Sequence, residues 1–254
     1  MLEALIVQPS LTLSDLAAQL HAPKSSVHRV CSVLVDRGWI TRNADGRFDL
    51  GIRAFGLSTR SSEYPLVRAF RGIAAELLTL HNETVCLAVL DADVSVYIAL
   101  EETSQPVRLV THVGSRTPAF ASASGRVILA DRAPQVVAAE YAGRSLITPT
   151  GRRLRAVEEL LSILRRVRRD GYAENHEETA EGLYVVSVPV RNAANAVLAA
   201  LSMCIPTSRV NAARRERIIA DLLEGGQRLS AAVPWLAAWN ALRAEARELV
   251  AAGD

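Results

Sequence analysis

The chain has 254 residues, half of them apolar and 22% charged, with a formal net charge of +2. That is ample apolar material for packed cores, and no long polar or low-complexity tract points to disorder. Charges break the longest apolar runs well short of a membrane span, which argues against a transmembrane helix. The start, MLEALIVQPSLTLSDL, lacks the basic region, continuous apolar core and cleavage site of a secretory signal, so the expected setting is cytoplasmic. Cys31, Cys86 and Cys204 are far apart and form no CxxC pair, so free thiols are expected rather than a disulfide framework or structural zinc site. The first 60 residues hold seven basic and five acidic side chains, while the remainder hold 22 of each. The whole excess lies at the N-terminal end, together with His21 and His28.

Leu2, Leu5 and Ile6 have helical spacing, and Pro9-Ser10 stops that helix. Thr12 with Asp15 three residues on is a capping-box start for a second helix with Leu13, Leu16, Ala17 and Leu20 as its apolar stripe. A third helix is expected over 24–37 with Gly38 as its C-terminal stop. Val27, Val30, Cys31, Leu34 and Val35 have the spacing of its core face. Ser25, Ser26, His28, Arg29 and Ser32 are left outside, concentrated near the helix start, where hydrogen-bonding side chains suit a major groove. The dipole and free N–H groups at that end favour phosphate. Lys24, the only lysine in the chain, stands at the same turn. Trp39-Ile40-Thr41 and Arg47-Phe48-Asp49-Leu50 flank a polar turn and read as a hairpin, with Arg42 and Arg47 bracketing its tip. Helices followed by a hairpin in this order make a winged helix-turn-helix over 1–60; the other reading of such a module, protein interaction, lacks the coincident polar cluster, wing and charge.

A linker helix is expected over 61–81, with Pro65 in its first turn and Val67, Phe70, Ile73, Ala74 and Leu77 on one face; a connecting helix of this kind is open to dimerisation that holds two recognition helices apart. The next expected strands are 84–90 and 95–100, joined at Asp91-Ala92-Asp93, then 108–112. Helices are expected over 121–130 and 153–170, the second on Leu154, Val157, Leu160, Leu161, Leu164 and Val167. Continuous apolar strands over 183–190 and 197–205 surround an Asn-Ala-Ala-Asn turn, and 211–233 is again helical. The fold class is therefore α+β with an antiparallel sheet over 82–234. A helical extension over 235–254 is amphipathic through Leu236, Trp239, Leu242 and Leu249. Arg165, Arg166, Arg168 and Arg169 read as favourable placement at a helix C-terminus, ahead of the alternative of a second nucleic-acid surface.

Three collinear stretches resemble the IclR-type transcriptional regulators: LSDLAAQLHAPKSSVHRVCSVLVDRGWITRNADGRFDLG, VGSRTPAFASASGRVILA and RRDGYAENHEETAEGLYVVSVPVRNAANAVLAALSMCIP. Arg126 stands where that family usually has Lys, and Asn195 where Gly is common. The resemblance implies a GAF-like sensor domain and a DNA-binding regulator, a homodimer or dimer of dimers on a double-stranded operator, with no cofactor. It further implies an effector cup lined by Leu109, Thr117, Ala123, Ser124, Asn175, Leu183, Val185, Ser202 and Cys204. Apolar walls, a few hydroxyl and amide groups and the free N–H groups of Ser124-Gly125 suit a small carboxylate. Val185 makes the pocket apolar and favours an aromatic or branched acid; Arg108, His112 and Arg116 are candidate cations for its carboxylate.

Other functions leave weaker marks. No GxSxG, HExxH, GxGxxG or phosphate-binding loop occurs, so an enzyme is not expected. His176-Glu177-Glu178 offers a metal reading, though adjacent residues rarely face one ion. Cys204 offers a redox reading if its thiol is accessible and electropositive.

Overall fold

The computed structural model describes residues 1–8, 10–43, 45–50, 65–154 and 156–233. They divide between two compact units, Met1–Tyr64 and Pro65–Asp254. The first four residues of the expected linker helix, the side chain of Ile6 and the extension over 235–254 lie outside the described residues.

The N-terminal unit contains α1 (Leu2–Val7), α2 (Leu13–Gln19), α3 (Lys24–Asp36), β1 (Ile40–Arg42) and β2 (Phe48–Leu50). The capping box is formed: the Asp15 N–H donates to Thr12 Oγ1 at 3.2 Å and the Thr12 N–H to Asp15 Oδ2 at 2.9 Å. The Thr12 hydroxyl also donates to Asp15 Oδ2 at 2.7 Å, and this bond together with that from the Thr12 N–H holds the Asp15 carboxyl below its ordinary range. Gly38, at φ +70°, follows α3 in the left-handed conformation that releases the chain into β1. The strands pair antiparallel, Ile40 opposite Leu50, and Leu11 bridges to Phe48 as a short third rung. Leu5, Leu11, Leu16, Val27, Cys31, Ile40 and Phe48 form the core of this unit. Pro23 is the cap residue of α3.

The second unit contains α4 (Pro65–His81), β3 (Thr84–Asp91), β4 (Val94–Glu101), β5 (Arg116–Pro118), α5 (Ala123–Leu129), α6 (Pro134–Tyr141), α7 (Val157–Asp170), β6 (Ala173–His176), β7 (Leu183–Arg191), β8 (Val197–Pro206) and α8 (Ala212–Ala232). The six strands form one antiparallel sheet in the order β5-β4-β3-β8-β7-β6. β3 and β8 lie at its centre and are buried on both faces, as their unbroken apolar sequences require. Alternation then sends Leu201, Met203 and Ile205 to a cluster with α4 and α8, and Ala200 and Cys204 to a second cluster with α5, α6 and α7. No helix of the described residues is long and apolar enough to cross a membrane.

Two expected elements of this unit change. Residues 108–112 are not a strand: Val107, Val110 and Val113 are exposed, and only Leu109 packs inward. An apolar run without a hydrogen-bonding neighbour remains a loop, and the strand that pairs with β4 comes later, at Arg116–Pro118. The long helix begins at Val157 rather than Arg153, because the Leu154 N–H donates to the Leu146 carbonyl at 2.9 Å in a strand-like contact. The apolar face of α4 packs inside its own unit, with Val67, Phe70, Ile73, Ala74 and Leu77 all in the cluster under α8.

Candidate DNA interface and effector face

Lys24, Ser25, Ser26, His28 and Arg29 are all exposed on the first half of α3. Val27 and Cys31 face the core and fix the rotation of the helix about its axis. No side chain caps the start of α3, so its first N–H groups are open to an anion. Arg29 points opposite the core; His28 is turned toward a shallow groove against the wing, shared with Ser32, Asp36, Arg42 and Phe48. In the wing, the Arg42 guanidinium lies 5.5 Å above the Phe48 ring and donates from Nε to the Gly46 carbonyl at 3.4 Å. Arg47 donates to the Ser10 carbonyl at 2.8 Å. Both wing arginines are exposed, so these local bonds are open to exchange for phosphate contacts.

The nine residues of the implied effector cup come from β5, α5, β6, β7, β8 and the 102–115 loop. Ala123, Leu183, Val185 and Cys204 belong to one cluster with Leu109 packed against it. Asn175, Val185 and Cys204 occupy one register row across β6, β7 and β8. Ser202 lies two residues along β8 and shares a 2.7 Å hydrogen bond with Ser187 Oγ. Ser124 shares another with Ser95 Oγ, also 2.7 Å, and Thr117 pairs with Ser95 across β4 and β5. The amide of Asn175 is already committed: its Nδ2 donates to the Ala121 carbonyl and its Oδ1 accepts the Glu178 N–H at 3.1 Å. Gly125 N–H, expected to be free for a carboxylate, is taken by Ser122 Oγ at 3.0 Å. On this apolar face Ser124, Ser202 and Asn175 thus already have hydrogen-bond partners.

Sequence reading missed several residues here. Tyr97 is one: its hydroxyl sits 3.8 Å from Cys204 Sγ, and its spacing of two from Ser95 along β4 was the available signal. The buried Arg126–Glu178 pair is another. Arg126 donates to the two carboxylate oxygens at 3.0 and 2.5 Å and from Nε to the Phe120 carbonyl at 2.8 Å. Arg152 adds a contact to Glu178 at 3.0 Å. These bonds clamp α5 to the segment after β6, over the sheet face just described.

The competing readings lose their geometry. Glu178 turns inward to Arg126, Glu177 bonds Gly182 N–H, and the exposed His176 ring lies 4.7 Å from that of Tyr184. No group of three metal-ligating side chains converges among the described residues. Cys204 is buried, and the Cys86 thiol beside it is pushed well up by its hydrogen bond with Cys204 and by burial, the opposite of a reactive thiolate. Arg209, the cation nearest Cys204 in sequence, is held on the buried Glu83 at 2.6–2.7 Å. Among the candidate cations, Arg116 is paired with Asp91 at 2.8 Å, and Arg108, His112 and Arg116 all face solvent. The basic run of α7 has a structural use: Arg168 donates to the Ala130 and Arg132 carbonyls, both at 2.8 Å, just past the end of α5.

Tyr141, buried on α6, has a hydroxyl without a hydrogen-bond partner among the described residues. An unsatisfied buried hydroxyl costs about 1–3 kcal/mol. Tyr141→Phe is therefore expected to leave stability unchanged or raise it by about 1 kcal/mol, read as an increase in the denaturation midpoint. A loss above about 1 kcal/mol would show that the hydroxyl has a partner.

A winged helix-turn-helix unit followed along the chain by a sheet-based α/β unit is the architecture of a DNA-binding regulator. The chain matches the IclR helix-turn-helix domain over residues 1–44 and the C-terminal domain of bacterial transcriptional regulator IclR over residues 59–231. It belongs to the IclR family of transcriptional regulators. The HTH-type transcriptional regulator KdgR of Escherichia coli K12 is 30% identical over 232 residues, which is 91% of this chain and 88% of that one. The crystal structure of an IclR transcriptional regulator from Alicyclobacillus acidocaldarius superposes with a TM-score of 0.79 at 26% identity, covering 87% of this chain and 90% of that one. An IclR homologue from Microbacterium hydrocarbonoxydans, crystallised with 4-hydroxybenzoate, gives a TM-score of 0.74 at 23% identity over 88% of this chain and 91% of that one. Its relatives are named as regulators rather than enzymes.

Proposed function

We propose that this chain binds a promoter operator through α3 and its wing, as a dimer or dimer of dimers, and that a small aromatic acid bound at the α5 face of the sheet modulates that binding. The observation that carries the DNA half is the exposed face of α3, where Lys24, Ser25, Ser26 and Arg29 gather at an uncapped helix start. Two such helices must meet half-sites about 34–36 Å apart, or multiples of that, which is why an assembly is part of the proposal. For the sensing half, the support is a cluster of apolar walls carrying paired hydroxyls: Ser95 with Ser124, and Ser187 with Ser202. A ligand hydroxyl or carboxylate entering there exchanges with bonds already made, so polar groups are not left unpaired in either state. The homologue bound to 4-hydroxybenzoate holds an acid of the proposed class. Such a ligand shifts the DNA-competent population only by its differential affinity for the two states.

A thermal-melting panel of 4-hydroxybenzoate, benzoate, pyruvate and glyoxylate tests the sensing half. Saturating the preferred ligand at about 100 times its Kd adds about 2.7 kcal/mol to the unit that binds it. The aromatic acids are expected to raise the midpoint in a concentration-dependent way. A rise with pyruvate or glyoxylate alone would overturn the preference for an aromatic acid.

A further inference from the structure

Beside its core face, α3 carries a second stripe at the spacing i, i+3, i+4, i+7: Ser26, Arg29, Val30 and Val33. The sequence pattern assigns Val30 to the core, yet it is 47% exposed, and Val33 is 54% exposed. Both are set apart from Val27 and Cys31, which face the core. Scattered exposed apolar residues need no explanation, but these two stand one turn apart in the same stripe as Arg29. Phosphate contacts give valine nothing to do there.

The surroundings say what such a stripe fits. Lys24 and Arg29 are on the first half of the helix, the wing carries Arg42 and Arg47 with Asp45 and Asp49, and the only acidic residue on α3 is Asp36 at its far end. A second copy of the α3 face would set Lys24 and Arg29 against their own counterparts if parallel, and would offer them only Asp36 if antiparallel. An anionic partner that also presents isolated methyl groups matches both the charge and the valines. The major groove of DNA is that surface: each thymine displays a C5-methyl there, beside the acceptors that Arg and Ser read. We propose that Val30 and Val33 recognise thymine methyl groups in the operator half-site, with Arg29 and Ser26 supplying the adjacent polar contacts. The inference rests on the DNA-binding reading of α3 and specifies what that helix reads.

The test starts with duplexes selected by the full chain from a random-sequence DNA pool. Each thymine of the selected site is then replaced singly by deoxyuridine, which removes the methyl and preserves pairing. At least one thymine per half-site is expected to weaken binding about fourfold on replacement, the equivalent of about 0.8 kcal/mol per buried methyl. The double variant Val30→Ser/Val33→Ser keeps its fold, since both positions are exposed and Ser and Val have similar helix propensity. It is expected to bind thymine and deoxyuridine duplexes equally. Selected sites that bind well but respond to no thymine replacement would overturn the inference and leave the DNA-binding reading intact. Undiminished discrimination in the double variant would also overturn it, as would a change in oligomeric state without a change in discrimination. A pool that enriches no sequence would overturn both.

Discussion

Replacing Glu178 with Gln is expected to destabilise the second unit by about 3–5 kcal/mol, the cost of leaving one member of a buried ion pair uncompensated. Arg126 and Glu178 are 3% and 7% exposed, so water cannot solvate the guanidinium that remains. Arg126 retains its bond to the Phe120 carbonyl, but that acceptor is neutral, and Arg152 is a second cation that loses the same partner, so neither replaces the missing negative charge. The pair itself need not be a large net stabiliser, because both charges lose hydration on burial. Arg126→Met/Glu178→Met is accordingly expected to recover part of what the single variant loses. Arg126→Lys keeps the charge but gives up the two-pronged contact and the Nε bond, and falls between wild type and Glu178→Gln. Chemical denaturation of the four proteins checks this. A Glu178→Gln midpoint equal to wild type would show that the pair is solvated or absent.

Gly125→Ala is the second large effect. A Cβ at Gly125 would stand 2.4 Å from both the Cα and the carbonyl oxygen of Ala119. Those are backbone atoms, so no side-chain rotation relieves the clash. Either the turn before α5 or α5 itself must move away from the sheet. Overpacking usually costs about 1–3 kcal/mol where side chains adjust; with backbone on the other side, the cost is expected at about 3 kcal/mol or above. Gly72→Ala in α4 is the matched control, because nothing lies within 4 Å of the added Cβ and the site is exposed. That change should stabilise the helix by about 1 kcal/mol. Melting curves in which both variants behave like wild type would contradict the tight approach at Gly125.

How much of this was legible depends on what each feature leaves in the sequence. The winged unit was readable because its signals are local: a capping box at Thr12, a core stripe on α3, Gly38 after it and a polar turn before Arg47. The continuous apolar segments likewise marked β7 and β8 as buried strands. Pairing is not local, and that is where reading erred. Residues 108–112 have strand composition, but the edge of β4 is taken by Arg116–Pro118 instead. Leu154 fits a helical stripe, yet its N–H is drawn to the Leu146 carbonyl. The effector residues could be placed on one face only through the family resemblance; period-two spacing could not show that Asn175 is spent on Ala121 and Glu178. Arg126 and Glu178 are 52 positions apart, so no spacing rule connects them. Val30 was assigned to the core because its spacing fits either edge of the apolar stripe.

The central claim, that the side chains of α3 make the operator contacts while the ligand is held by the other unit, is tested most directly by titrating a selected operator duplex with wild type, Arg29→Ala and Lys24→Ala. Each protein is also melted with and without 4-hydroxybenzoate. Arg29→Ala is expected to lose about 5- to 150-fold in affinity, the range of 1–3 kcal/mol for a base contact. Lys24→Ala should weaken binding across sequences alike and lower the salt slope by about one. Both variants should keep the wild-type ligand-induced rise in melting temperature. Operator binding unchanged in both variants, or ligand response lost along with it, would contradict the account.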